Sequence, residues 1–276
     1  MNSKHRLPRG WHDVLTFSML PTLRCPILLV HRLLVFWFAN SMAPSINNMA
    51  NVLGVSGNLG SCAQKLAKRL LVAESECAIA RQKKRKLRGI VECDGTSIRS
   101  YKIAGTQNLA YVQLFGAIER TSRKVNLYQL GIAVSKNLGK PPPESWAKIS
   151  ATSFLTDVDK TDAADKTSCI ISDGAKVYPK IAKTLKILNR SVSHATGEFQ
   201  RTDRLHGSKV SVHTGGIDQA WKDLKKNVPN SIATRKDGAP NPLLWQYATQ
   251  WQWRWENSAC ANLSRLTAET LRANMQ

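Results

Sequence analysis

Three aspartates stand where residue type and neighbours could support chemistry. Asp94 follows the apolar pair Ile90–Val91, Asp173 follows Ile170–Ile171, and Asp218 opens an amphipathic stretch, Ile217–Lys226. Sheets built from such runs place ligands at the carboxyl ends of their strands, so the first two acids can converge if their strands are neighbours. Three carboxylates meeting without a base would repel one another. The usual resolution is a hard divalent cation, Mg²⁺ or Mn²⁺, held by oxygen ligands. Two such ions about 3.5–4 Å apart activate a water or a 3′-hydroxyl and steady the leaving oxygen of a phosphodiester. The competing role for a lone Asp at a strand end is a turn or cap, which is the commoner one.

The elements that must position these acids follow from the apolar pattern. Ile90–Asp94 reads as a short strand ending at an acid. Ala110–Glu119 and Val125–Val134 read as two more, joined by a polar turn. Pro141–Pro143 breaks the chain before a helix over Glu144–Leu155. Ser168–Asp173 is a further short strand, followed by a helix over Ala175–Leu188, a last strand at Val192–His194, and a Gly- and Ser-bearing loop into the helix Ile217–Lys226. The order predicts an α/β fold, a mixed sheet with flanking helices.

Upstream the texture is helical. A helix over Ile27–Asn40 is followed by Ser45 as an N-cap, with Ile46, Met49, Ala50 and Leu53 at helical spacing. The turn Gly54–Ser56 then leads into a second helix to Leu71. This layout suits either a DNA-binding helix-turn-helix or a structural hairpin. Lys65, Lys68 and Arg69 on the outer face suit phosphates in the first case and solvent in the second. The run Arg81–Arg88, with Lys83, Lys84, Arg85 and Lys86, is a phosphate-binding arm, an import signal or a solvated linker. Asp157–Asp165 lacks the Gly and Glu of a calcium loop and reads as a polar loop or helix start. Trp245, Trp251, Trp253 and Trp255 suit packing of the last helices on the sheet better than base stacking.

Composition narrows the function classes. The 276 residues have room for one large domain or two ordinary ones, and 42% hydrophobic content excludes wholesale disorder. Lys and Arg number 40 against 19 Asp and Glu, a net charge of +21, which puts nucleic acid first among partners. Residues 1–88 carry 14 basic and 3 acidic residues, so the excess is densest there. The cysteines (Cys25, Cys62, Cys77, Cys93, Cys169, Cys260) form no CxxC pair. That excludes a zinc ribbon of ordinary spacing and points to buried thiols in a reducing compartment. Pro26–Ala39 is apolar but broken by His31 and Arg32, and shorter than the ~20 residues of a membrane span. Asp13 and the lack of a cleavage site make Met1–Leu20 a poor signal peptide. The expectation is a buried helix in a soluble chain with no membrane partner.

Three blocks carry a family resemblance. Val91-Glu92-Cys93-Asp94, then Ile171-Ser172-Asp173-Gly174 with Tyr178, then Val212-His213-Thr214 through Asp218, Trp221 and Lys225 resemble the catalytic blocks of Merlin-type DDE transposases. That family shares its domain with bacterial ISXO-type insertion-sequence enzymes, and its blocks read approximately VEvDE, SDGyraY and vHTNxIEgxWxxLK. Spacings of 79 residues from Asp94 to Asp173 and 45 to Asp218 are workable for it. Leu33–Ser41 leading into Ile46–Leu70 is similar to the family's helix and helix-turn-helix. The resemblance runs from about Ile27 to Glu256.

The resemblance implies an RNase H-like domain in which Asp94, Asp173 and Asp218 hold two Mg²⁺ or Mn²⁺ ions for cleavage and strand transfer at transposon ends. Lys225 matches the family's downstream basic residue, two helical turns beyond Asp218, where it could hold a phosphate. His213 is either a phosphate or metal-site neighbour or a structural residue, His194 is structural, and Trp221 suits the core better than base stacking. The implied organisation is an N-terminal segment of low order (residues 1–26), a helix-turn-helix-like region (27–75), a basic linker (76–88), the RNase H-like domain (89–260) and a C-terminal helix or tail (261–276). Implied partners are double-stranded DNA, as terminal repeats and target, and further copies of the chain on that DNA. The implied location is the nucleus of a eukaryotic host or the nucleoid of a bacterial one.

Departures from the family pattern are specific. Asp218 stands for Glu, one bond length shorter or roughly 1.5 Å. Gly95 stands where an acid often follows the first Asp, Gly215 replaces Asn, Glu256 replaces Asn in the closing aromatic block, and no cysteine pairs could build the family's zinc ribbon. Together they suggest a decayed or diverged copy. Asp218 in place of Glu favours the alternative of a catalytically inactive DNA-binding protein derived from a transposase, and retention of all three carboxylates favours the enzyme. An RNase H-like nuclease acting on structured nucleic acid without transposition is a third option.

Overall fold

A computed structural model describes residues 26–39, 45–135, 140–230, 232 and 241–257. The expected N-terminal segment, apart from Pro26, and the C-terminal helix or tail lie outside the described residues, as do Cys25 and Cys260. The chain divides into two compact units, Met1–Ala80 with Thr249–Gln276, and Arg81–Ala248. Among the described residues no helix is long and apolar enough to cross a membrane.

The first unit is helical. Helix α1 (Ile27–Ala39) buries Leu29, Val30, Leu33, Leu34 and Trp37. A 3-10 turn at Ile46–Asn48 runs into a single helical turn, α2 (Met49–Val52), and then α3 (Gly57–Lys84), whose buried face repeats through Ala63, Leu66, Ala67, Leu70, Leu71, Cys77 and Ala78. The expected second helix therefore does not stop at Leu71. After Gly57 no Gly but Gly60, and no Pro, interrupts the run, and Leu71–Ala80 is rich in good helix formers. Only the short turns of Ile46–Val52 stand where a full first helix was expected, so a helix-turn-helix is not formed in the expected proportions.

Thr249–Asn257 group with this unit. Thr249–Glu256 lie on helix α8 (Pro242–Glu256), where Trp253 packs with Cys77 and Ala78 of α3. Glu74, fully buried, accepts hydrogen bonds from Arg254 Nε at 3.1 Å and from Gln250 Nε2. Arg254 also donates to the Trp37 carbonyl at 3.2 Å and lies over the Trp37 ring.

The second unit is a mixed five-stranded sheet with helices on both faces, the α/β class expected. Its strands are β1 (Ile90–Lys102), β2 (Leu109–Glu119), β3 (Val125–Ser135), β4 (Cys169–Ser172) and β5 (Leu188–Ser191), ordered β3-β2-β1-β4-β5. β1 pairs antiparallel with β2, and β2 with β3; β4 runs parallel to β1 and to β5. Strand alternation divides β1 between two faces. Val91 and Cys93 join Phe115, Tyr128, Phe154 and Tyr178 in the larger core, beside α4 (Trp146–Ser150), α5 (Phe154–Asp157) and α6 (Val177–Leu185). Glu92 and Asp94 point to the other face, under α7 (Gly215–Asn227), which buries Ile217, Ala220, Trp221 and Leu224.

Several boundaries differ from expectation. β1 does not end at Asp94, because its pairing with β2 continues, through a bulge between Ser97 and Arg99, as far as Lys102 opposite Leu109. The expected helix over Glu144–Leu155 is two short ones, α4 and α5. α6 ends at Leu185 with Lys186 in the left-handed conformation, which frees Leu188–Ser191 to form β5, and His194 then sits in a 3-10 turn rather than a strand. The loop before α7 contains a hairpin, β6 (Arg201–Leu205) and β7 (Ser208–Val212), joined by His206–Gly207 with both residues at positive φ.

The basic segment is not an extended linker. Arg81–Lys84 complete α3, and Leu87 is buried, its N–H donating to Asp157 O at 2.8 Å.

Candidate active site

The parallel pairing of β1 with β4 covers only Ile90–Glu92 and Cys169–Ile171. Beyond it β4 stops while β1 continues, which leaves a notch with Asp94 on one side and Asp173 on the other. Asp94 is thus two residues past its last β4 partner, and the strand end is that of β4.

The third acid arrives on α7, and the attachment of that helix is built from charge. Glu92 is 1% exposed. Its Oε2 accepts the Ile217 N–H at 3.0 Å, at the first turn of α7, where unpaired N–H groups favour an anion. Its Oε1 accepts from Arg120 Nε and pairs with Nη2, both at 2.8 Å. Arg120 in turn donates to the carbonyls of Ser211 at 2.6 Å and His213 at 2.9 Å. Glu92 on β1 and Arg120, just past the end of β2, therefore clamp the segment that carries Asp218.

Each acid is fixed through one oxygen. Trp221 Nε1–H donates to Asp94 Oδ2 at 2.9 Å, Ala175 N–H to Asp173 Oδ1 at 3.1 Å, and Thr214 Oγ1–H to Asp218 Oδ2 at 2.9 Å. The other oxygen of each has no hydrogen bond among the described residues. Trp221 reaches Asp94 because its cross-strand partner is Gly116: a Cβ there would lie 2.4 Å from the indole. Trp221 is thus core, as expected, and also a donor to the first acid.

A fourth acid joins them. Gln113 Nε2 donates to the Pro142 carbonyl at 2.6 Å and docks the proline arm on β2, bringing Glu144 against Gly95, where a Cβ would meet Glu144 Oε1 at 1.9 Å. Burial pushes the Asp94 carboxyl up to about 8 from 3.8. Asp173, Glu144 and Asp218 push it the same way, and the Trp221 N–H opposes them. No basic side chain contributes. Burial also raises Glu144; its own backbone hydrogen bond lowers it, and Asp173 raises it. Tyr178 borders the cluster: burial first and then Asp94 and Glu144 hold its phenol protonated, and its hydroxyl has no hydrogen-bond partner among the described residues. The triad was visible as motifs, whereas Glu144 was missed; the only sequence signal for it was an acid directly after a rigid Pro-Pro-Pro arm.

The other expected residues are dispersed. Lys225 is exposed on α7 and makes no hydrogen bond or ion pair among the described residues. His213 Nδ1 accepts the Gly215 N–H at 3.1 Å, turning the ring into its own loop. Lys65, Lys68, Arg69, Lys83 and Lys84 are exposed on α3. Arg85 and Lys86 are engaged within the protein, Arg85 with Asn126 Oδ1 at 2.6 Å and the Val125 carbonyl, Lys86 with the Thr156 carbonyl.

The donors are of the type a hard divalent cation prefers. Among the described residues, however, no three His, Cys, Asp or Glu side chains are grouped closely enough to hold one ion. The set therefore suits an ion taking one or two carboxylates and filling its remaining positions with water or phosphate oxygens, the usual habit of Mg²⁺. A scan of the chain against protein-family models finds no match, and a search among curated proteins finds none.

Proposed function

We propose that the second unit is an RNase H-like nuclease and strand-transfer domain acting on double-stranded DNA, and that the protein is transposase-like. The observation that carries this reading is the group of acids around Asp94, whose carboxyl is driven to about 8 with no base to offset it. Burial is the largest cause and repulsion among the acids adds to it; neither stabilises the fold, and a bound cation would offset both. The order and directions of the five strands are compatible with an RNase H-like sheet. The net charge of +21 and the exposed lysines of α3 suit a DNA partner, bound as terminal repeats and target by more than one copy of the chain, in a nucleus or a nucleoid.

In this reading Asp94, Asp173 and Asp218 would hold the metal, each through the oxygen left over from its own hydrogen bond. Mg²⁺ or Mn²⁺ bound there would supply Lewis-acid activation of the attacking oxygen and charge stabilisation of the leaving one. Trp221, Ala175 and Thr214 keep the carboxylates aimed, and the Glu92–Arg120 clamp holds α7 in register with β1. Lys225, exposed on α7, would be open to a phosphate of the bound DNA.

The test is metal-dependent nicking of DNA. The full chain should nick with Mg²⁺ or Mn²⁺ and not in EDTA. Asp94→Asn and Asp173→Asn should each lower the rate by more than about 10²-fold, in keeping with the several kcal/mol a metal contributes. Asp218→Glu should raise the rate if the short side chain limits geometry. The second reading, a DNA-binding protein without catalysis, is favoured by the short, Thr214-bound Asp218. It replaces the first if the natural chain and Asp218→Glu are both inert while salt-sensitive DNA binding persists.

A further inference from the structure

We infer that Phe199 and His194 form a stacking platform for one unpaired nucleobase beside the acid cluster, so that the DNA accepted there is splayed open next to the scissile phosphate. This inference rests on the phosphodiester reading above.

Phe199 is the most exposed large apolar side chain among the described residues, at 64%. A ring left so far in water contributes little to the core, yet it is held in place. Its centroid lies 5.0 Å from that of His194, with the planes tilted by 32°. The turn carrying both rings is tied twice: Gly197 N–H donates to the His194 carbonyl at 3.2 Å, and Glu198 N–H to the Ser193 carbonyl at 3.0 Å. Gly197, at φ +77°, turns the chain so that residue 199 returns beside residue 194.

The platform is linked to the site. His194 Nε2 lies 3.5 Å from Thr214 Oγ1, the hydroxyl that donates to Asp218 Oδ2 at 2.9 Å. One side chain therefore separates the aromatic pair from the third acid. Nearby, Arg201 has only long contacts, 3.5 Å to Glu198 and 3.9 Å to Asp203, and at 40% exposure it can turn toward an adjoining phosphate.

These features select the kind of DNA. Aromatic faces stack any base, which gives contact without sequence preference. Inside a duplex both faces of a base are covered by its neighbours, so only an extruded or unpaired base can lie on Phe199.

The experiment measures binding of the full chain, in Ca²⁺, to two fluorescent oligonucleotides of one sequence, a blunt duplex and the same duplex with an unpaired extension carrying 2-aminopurine. The natural chain should favour the unpaired form and quench the 2-aminopurine. Phe199→Ala should lose about 5- to 150-fold in affinity for that form and little for the duplex, while Phe199→Trp should retain both affinity and quenching. Phe199 is exposed, so the alanine variant should fold, which its thermal melt checks. The inference is overturned if Phe199→Ala weakens neither DNA or weakens both equally, or if it alters only self-association; the nuclease reading then stands. If the natural chain binds neither DNA, both fall together.

Discussion

Glu74 in the helical unit and Asp94 in the sheet unit are both carboxylates withdrawn from water, and the two regions treat them in opposite ways. Glu74 is fully buried against the guanidinium of Arg254, with Gln250 as a second donor. Asp94 has one neutral donor, Trp221, and three acids acting on it. Within the sheet unit Glu92 repeats the first arrangement: buried, paired with Arg120, and holding α7. An acid that holds elements together is given a cation; acids left without one are poised for something that arrives later.

The largest effect that could break this comparison is one of pH. The folded protein holds a proton on Asp94 up to about 8, whereas an unfolded carboxyl releases it near 3.8. In metal-free buffer this makes the fold lose stability as pH rises from about 4 to about 8, by at most about 6 kcal/mol shared among the coupled acids. Asp94→Asn removes that loss, so its stability advantage over the natural chain should be near zero at pH 4, grow with pH and level off above 8. Denaturant melts across that range in EDTA decide it, and parallel curves would sink the idea.

The opposite behaviour is expected at the paired acid. Arg254→Met strands Glu74 in the core and should cost about 3–5 kcal/mol. Glu74→Leu combined with Arg254→Met should cost less than the sum of the two single changes. Additive losses in a double-mutant cycle would show that the pair is not a unit.

The smallest expected effect sharpens the site itself. Trp221→Phe keeps the ring over Gly116 and removes only the N–H to Asp94. Mn²⁺ affinity should fall about 10- to 100-fold, as for other groups that orient a ligand, with the melting temperature nearly unchanged. An unaltered affinity would reduce Trp221 to packing alone.

Sequence legibility tracked apolar contrast. β2 and β3 were readable almost to the residue because each is a long apolar run bounded by turn residues. The far half of β1, Thr96–Lys102, and the hairpin Arg201–Val212 are polar and partly exposed, so neither gives the alternation that marks a strand. The hairpin's one local signal was His206–Gly207. The length of α3 was missed because the apolar repeat was followed only to Leu71, although nothing after it breaks the helix before Lys84. In the site, Asp94, Asp173 and Asp218 stood out by their neighbours. Glu144 did not, since its place depends on a side-chain contact between Gln113 and a proline carbonyl. Glu92 was visible only as part of a block, because what distinguishes it is a partner 125 residues away.

That separation has a consequence for how the protein is made. The bonds that complete the site, Glu92 to Ile217 and Asp94 to Trp221, join residues 125 and 127 positions apart. Contacts so distant in sequence close late, after the costly loop between them has been ordered. During synthesis β1 through β5 leave the ribosome before α7 does, and in that interval Glu92 lacks the helix it anchors and Asp94 lacks its donor. An unfinished chain therefore carries the whole five-stranded sheet with Asp94 and Asp173 in place, but the acid cluster is complete only once Asp218 and Trp221 have emerged.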